Sequence, residues 1–127
     1  MKKLIFFITL ILVTGCQQAK KEATVMSENN YPKMNLKHIH TEAKDVQTKL
    51  LLKAEEGKVM SLQIAKGKQL KEHVSEVPAI LICISGNAIY RDLSGEVDML
   101  NGDYLFITAG AKHEVQAITD SNFILVK

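Results

Sequence analysis

Two histidines, His73 and His113, are the side chains of this chain best placed to do chemistry near neutral pH. An imidazole titrates close to physiological pH, so a pair of them can work as acid and base, or hold an anionic or hydroxylated ligand. Imidazole is also a common ligand of first-row metals, but two imidazoles leave such an ion at least one strong ligand short of an ordinary catalytic site. The same two rings can equally serve as polar groups hydrogen-bonded in a cavity. Successive alternate residues of a strand face one way. His73, Ser75, Ala79, Leu81 and Cys83 share one parity, and His113, Val115 and Ala117 share another run. The turn around Glu76-Val77-Pro78 is the place where that phase can slip.

The histidines sit in two glycine-spaced stretches. The first runs Gly67, five residues, His73, Val74, Ser75, three residues, Ala79, six residues, Gly86. The second runs Gly102, five residues, Thr108, Ala109, Gly110, two residues, His113, three residues, Ala117. This spacing resembles the two motifs of the cupin family, small jelly-roll β-barrels that often hold one metal on three histidines and a glutamate. The resemblance puts Ser75 where the second histidine would stand and Ala79 where the glutamate would stand. It implies an inward-facing cavity of His73, Ser75, Ala79, Cys83 and His113, with aliphatic walls and the thiol deepest. It also implies a degenerate metal site in which His73 and His113 alone remain. Thr108 takes the place of the usual proline before the second histidine.

The elements needed to position these residues are strands. Leu50, Leu52 and Ala54 alternate with Lys49 and Lys53, and Met60, Leu62 and Ile64 alternate with Ser61 and Gln63. Glu55-Glu56-Gly57 between them predicts a hairpin. Ala79 to Ile84 is apolar on both faces, as a strand between packed layers should be. Asn87 to Arg91 and Glu96 to Leu100 flank Asp92-Leu93-Ser94-Gly95, a second hairpin. Tyr104 to Ile107, Glu114 to Ile118 and Phe123 to Val126 complete the set, about eight or nine short strands in an all-β domain. Periodicity leaves sandwich and barrel open; the cupin resemblance selects the jelly-roll barrel. It extends upstream to Asn35-Leu36-Lys37, as in small single-domain cupins. Lys66, Lys68 and Lys71 read as a solvated loop. His38, His40 and Glu42 stand at alternate positions, where an extended arm would present all three on one side. Tyr90 and Tyr104 would reach the cavity only if their parity turns inward.

The N-terminal end has another character. Met1-Lys2-Lys3 is a short basic start, and Leu4 to Val13 is apolar apart from Thr9. That is the pattern of an export signal, too short for a permanent span. It ends in Val13-Thr14-Gly15-Cys16, which resembles the lipobox of bacterial lipoproteins and implies acylation of Cys16. Residues 17–35 are polar without an apolar period, the composition of a flexible tether spanning roughly 20–25 Å. Loss of Lys2 and Lys3 would leave fourteen basic residues against fourteen acidic ones. That balance points to no nucleic acid. With Cys16 lipidated, Cys83 has no disulfide partner.

The expected organisation is therefore a signal peptide at 1–15, a lipidated Cys16 and tether at 16–35, and a cupin barrel at 36–127. The expected function is binding of a small polar ligand in the bacterial envelope, on the periplasmic or extracellular side of a lipid membrane. The alternatives are a metal-dependent dioxygenase or isomerase using His73 and His113, or a metal-free isomerase. No cofactor is expected, with a divalent metal on His73 and His113 left open. Cupin barrels often pair through their sheets, so a homodimer is the expected protein partner.

Overall fold

Apolar residues alternating with polar ones bury one face of an extended chain, and that face must then find a second sheet. The computed structural model describes residues 34–127. The expected signal segment, Cys16 and the tether through residue 33 lie outside the described residues. Nine strands form among the described residues: β1 (Val46–Ala54), β2 (Gly57–Ile64), β3 (Gln69–Val74), β4 (Ala79–Ser85), β5 (Asn87–Asp92), β6 (Gly95–Leu100), β7 (Tyr104–Ile107), β8 (Lys112–Ala117) and β9 (Ser121–Val126). They assemble into a five-stranded sheet ordered β1-β2-β9-β4-β7 and a four-stranded sheet ordered β3-β8-β5-β6. Every ladder is antiparallel. The all-β jelly roll expected from the sequence is the architecture observed. No helix of the described residues is long and apolar enough to cross a membrane.

The core lies between the sheets. Leu62, Ile64, Leu81 and Phe123 enter it from the five-stranded sheet, and Ala88, Met99, Val115 and Ala117 from the other. Complete burial of a side chain such as Phe123 stabilises the fold by roughly 1.5–3 kcal/mol. The two hairpins fall where turn chemistry placed them: Ala54 pairs with Gly57 and Asp92 with Gly95.

Several local expectations are corrected by tertiary pairing. β1 is an edge strand whose register shifts between Leu50 and Leu52. The shift sets Leu52 opposite Val59 on the outer face, and Leu50 and Leu52 stay 51% and 59% exposed. Lys71 lies within β3 rather than in the loop with Lys66 and Lys68. The N-terminal arm is not extended. Leu36–His38 forms a 3-10 turn, capped where the Asn35 side chain accepts a 2.9 Å hydrogen bond from Lys37 N, and it packs against β4. His40 then reaches Ser61 on β2, Nε2 to Oγ 2.9 Å, and His38, His40 and Glu42 form no group able to hold a metal among the described residues.

The chain changes sheet between β4 and β5 at Gly86, whose φ is +95°. A Cβ there would lie 2.4 Å from Asp120 O and 2.5 Å from Ser121 Oγ. Hydrogen bonds close the crossing around it: Ser121 Oγ has one proton to give and lies within reach of Thr119 O and Asn87 O, and Asn87 N donates to Thr119 Oγ1. Gly86→Ala meets both the left-handed backbone and backbone atoms that cannot move aside. The variant should lose at least about 2 kcal/mol and roughly 10 °C in Tm, read by thermal and urea unfolding.

Candidate functional site

β3 and β8 are neighbours in the four-stranded sheet, and their register sets His73 opposite His113. A register shift separates that pair from Leu70↔Val115, three residues of β3 spanning two of β8. This bulge lets both Leu70 and the exposed His73 border the same cavity despite their odd spacing. The two imidazole centroids are 4.3 Å apart, with the planes tilted by 56°. In each ring Nδ1 lies 2.9 Å from a carbonyl two residues earlier, Lys71 O for His73 and Ala111 O for His113. A carbonyl oxygen only accepts, so Nδ1 carries the hydrogen in both rings. In the neutral state each Nε2 is therefore left as an acceptor.

These rings border an interior cavity of about 30 Å³. Ser75 and Ala79 line it, and Leu62, Leu81, Ile107 and Val115 supply the apolar walls. The Ser75 hydroxyl donates its proton to Val77 O at 2.7 Å, leaving oxygen lone pairs only. Cys83 corrects the expectation of a thiol in the cavity. It is fully buried in the closed core, with its Sγ directed at Ser85 O, 3.6 Å away, and burial pushes its pKa up. Four residues of strand carry it beyond the open part of the barrel.

One site residue escaped the sequence reading. Lys127 follows Phe123 and Leu125 in inward phase on the line of β9, and it borders the cavity. Two backbone hydrogen bonds with Lys58, 2.6 and 3.0 Å, hold it on the edge of that ladder. Extending the β9 alternation by one residue would have found it. Lys127 also borders a second, open cleft of about 490 Å³ outside the mouth, with Lys53, Lys58, Glu56, Glu76 and Val77. The tyrosines separate. Tyr104 is 72% exposed on the outer face, while Tyr90 is buried and stacks on His113 at a centroid distance of 5.7 Å. Burial, reinforced by the nearby Asp92 carboxylate, raises the Tyr90 pKa.

Burial also governs His113, lowering its pKa. The Ala111 carbonyl and Asp92 oppose that shift, and the charges of His73 and Lys127 add to it. The donor set does not fit a resident divalent metal. Two Nε2 atoms are available, Ala79 has no donor, and Ser75 offers only a neutral hydroxyl oxygen, a weak ligand for such an ion. Glu76 faces the outer cleft, and no group of three or more His, Cys, Asp or Glu able to hold a metal exists among the described residues.

No protein-family model and no curated relative matches the chain. Solved structures do. A cupin superfamily protein from Desulfitobacterium hafniense superposes with a TM-score of 0.69 at 14% identity, over 79% of this chain and 92% of that one. The chain adopts the cupin fold. KdgF from a Halomonas species gives a TM-score of 0.64 at 17% identity, over 73% and 87% of the two chains. A predicted oxalate decarboxylase from Thermotoga maritima gives 0.59 at 22%, over 64% and 77%. At these identities the cupin likeness is one of backbone, and the site has to be read from its own side chains.

Because the folded His113 pKa lies below the ordinary 6.5, the unfolded chain takes up its proton first as pH falls. The contribution of His113 to stability is therefore full above about pH 6.5 and declines as pH drops through that value. Urea unfolding at pH 8 and pH 5 should show a smaller loss on acidification for His113→Gln than for the unaltered chain.

Proposed function

We propose that this cupin barrel binds a small polar ligand at its mouth and is held at a bacterial membrane by an acylated Cys16. One observation carries the binding reading: a buried imidazole, His113, and an exposed one beside it, His73, each with Nδ1 tied to a carbonyl, present Nε2 acceptors at the edge of a cavity with apolar walls. Small-molecule sites are commonly built this way, with a few fixed polar groups set in an apolar recess. The anchor reading is supported by Val13-Thr14-Gly15-Cys16 following an apolar run, a pattern that favours the cell envelope, on the periplasmic or extracellular side.

A metal-free isomerase is the second reading. The lowered pKa of His113 keeps its imidazole neutral near pH 7, the state a general base requires. A metal-dependent dioxygenase or isomerase has less support, since the cavity offers two imidazoles and a lysine.

The binding reading is tested by NMR of the His73 and His113 rings against a panel of small polyols, sugars and organic acids. A true ligand shifts both rings saturably, and its binding, followed by calorimetry, disappears in the His73→Ala/His113→Ala double variant. Turnover of a bound compound that ceases in His113→Gln would favour the isomerase instead. The anchor has its own measurement. The unaltered chain should take up labelled palmitate and fractionate with membranes, whereas Cys16→Ser should remain unlabelled.

A further inference from the structure

The outer face of the five-stranded sheet is apolar where a solvent-facing sheet would be polar. On β2, β9, β4 and β7 the residues alternating with Leu62, Phe123, Leu81 and Ile107 of the core point outward, and none of them is charged. Cross-strand pairs carry an apolar row straight across the sheet: Leu52 with Val59, Val59 with Val126, Val126 with Ile80, and Ile80 with Phe106. Four interstrand steps make that row roughly 19 Å long. Phe106 is 64% exposed, and the exposed Tyr104, opposite Ile82, extends the patch along β7. The outer face of the other sheet is of the opposite kind, with Arg91 set among Glu96 and Glu114. An uncharged apolar patch beside an ordinary charged one marks an interaction surface.

The place where the arm meets the barrel says what covers this face. Leu36–His38 packs against β4, and His40 bonds to the outward Ser61 of β2, so the arm lies on the same sheet as the apolar row. Residues 17–33 separate Cys16 from Met34, and a polar coil of that length spans roughly 20–25 Å. A lipid anchor on so short a line holds the face it leaves from near the bilayer, at the millimolar effective concentration of a short tether. A weak apolar contact then suffices to seat that face. Tyr104 and Phe106 suit such a seat, because aromatic rings gather at the membrane–water boundary. A second copy of the chain is a poorer occupant. One row of side chains is a small share of the ~800 Å² per partner that a standard protein interface buries.

We infer that the outer face of the five-stranded sheet lies on the bilayer surface, with Leu52, Val126, Ile80, Phe106 and Tyr104 seated among the lipid headgroups. This rests on the anchor reading above and adds the orientation of the barrel. The charged outer face around Arg91 then points away from the membrane. Ala79 and Ile107, each one residue from the row, line the inner cavity, so the cavity sits directly behind the seated face.

The chain has no tryptophan, so two single variants give clean reporters: Phe106→Trp in the row, and Ile89→Trp on the opposite outer face, between the buried Ala88 and Tyr90. Each acylated full chain is reconstituted in phosphatidylcholine vesicles with and without brominated acyl chains, which quench an indole on contact. The Phe106→Trp signal should fall by about half or more and the Ile89→Trp signal by less than about a tenth, since an interfacial face sinks roughly 5–10 Å. Adding Leu52→Glu to Phe106→Trp should reduce that quenching about twofold or more, because a carboxylate resists leaving water. Circular dichroism checks that each variant is folded. A chain that floats with the vesicles but shows no quenching of Phe106→Trp, or equal quenching of both reporters, would sink the inference and leave the anchor standing. Cross-linking between copies through this face, with Phe106→Trp shielded from the brominated lipid, would give the face to a second copy and also overturn it. If the chain carries no acyl group and does not float, the inference and the anchor reading fall together.

Discussion

Two sheets share one core here because the chain leaves the five-stranded sheet at Ser85 and enters the four-stranded sheet at Asn87. The passage runs through Gly86, where the neighbouring backbone approaches so closely that no side chain fits. β4 and β5 are interior strands of their sheets, so this one step sets how both inner faces meet. Leu81 and Cys83 before the step, and Ala88 and Tyr90 after it, all become buried. The Ser121 and Thr119 hydrogen bonds tie the β8–β9 connection to the same point. The strand that carries His113 and the line that carries Lys127 are thereby fixed relative to each other.

The site follows from that closure. His73 and His113 belong to one sheet and are brought together by the β3–β8 ladder, while Lys127 continues β9 in the other sheet. A cavity with one cation and two imidazoles has different chemistry from one with imidazoles and carboxylates. The second set attracts a divalent ion, and the first offers it too few strong donors. Burial at the cavity also disfavours the imidazolium form of His113.

The outer faces of the two sheets differ. On the four-stranded sheet, Arg91 bridges Glu96, Glu114 and Gln116 across three strands. Such solvent-screened pairs add little to stability and chiefly keep that face wet. On the five-stranded sheet, paired positions form an apolar row: Leu52, Val59, Val126, Ile80 and Phe106. The N-terminal arm reaches this sheet at Ser61 through His40, and burial of Ser61, Asn122 and Ile124 accompanies that contact. Phe106 and Tyr104 remain exposed.

Much of this was legible in the sequence, because what was read is local. Alternation with period two located Tyr104–Ile107, the apolar Ala79 strand and both hairpins, and turn residues closed the hairpins at Glu55-Glu56 and Leu93-Ser94. Glycine and histidine spacing led to the barrel and to His73, Ser75, Ala79 and His113 around one cavity. The departures have a common cause. The shifts at Leu50/Leu52 and Leu70/His73 are bulges, and a bulge is set by the partner strand. Tyr90 and Tyr104 had undecided parity for the same reason. Cys83 lies deeper than the cavity because depth depends on how the opposite sheet closes over it. The sequence alone determined the strands, their turns and the imidazole pair. Only tertiary closure decided that Lys127 borders the same cavity as those imidazoles, because a residue's face is a local property and its opposite neighbour is not.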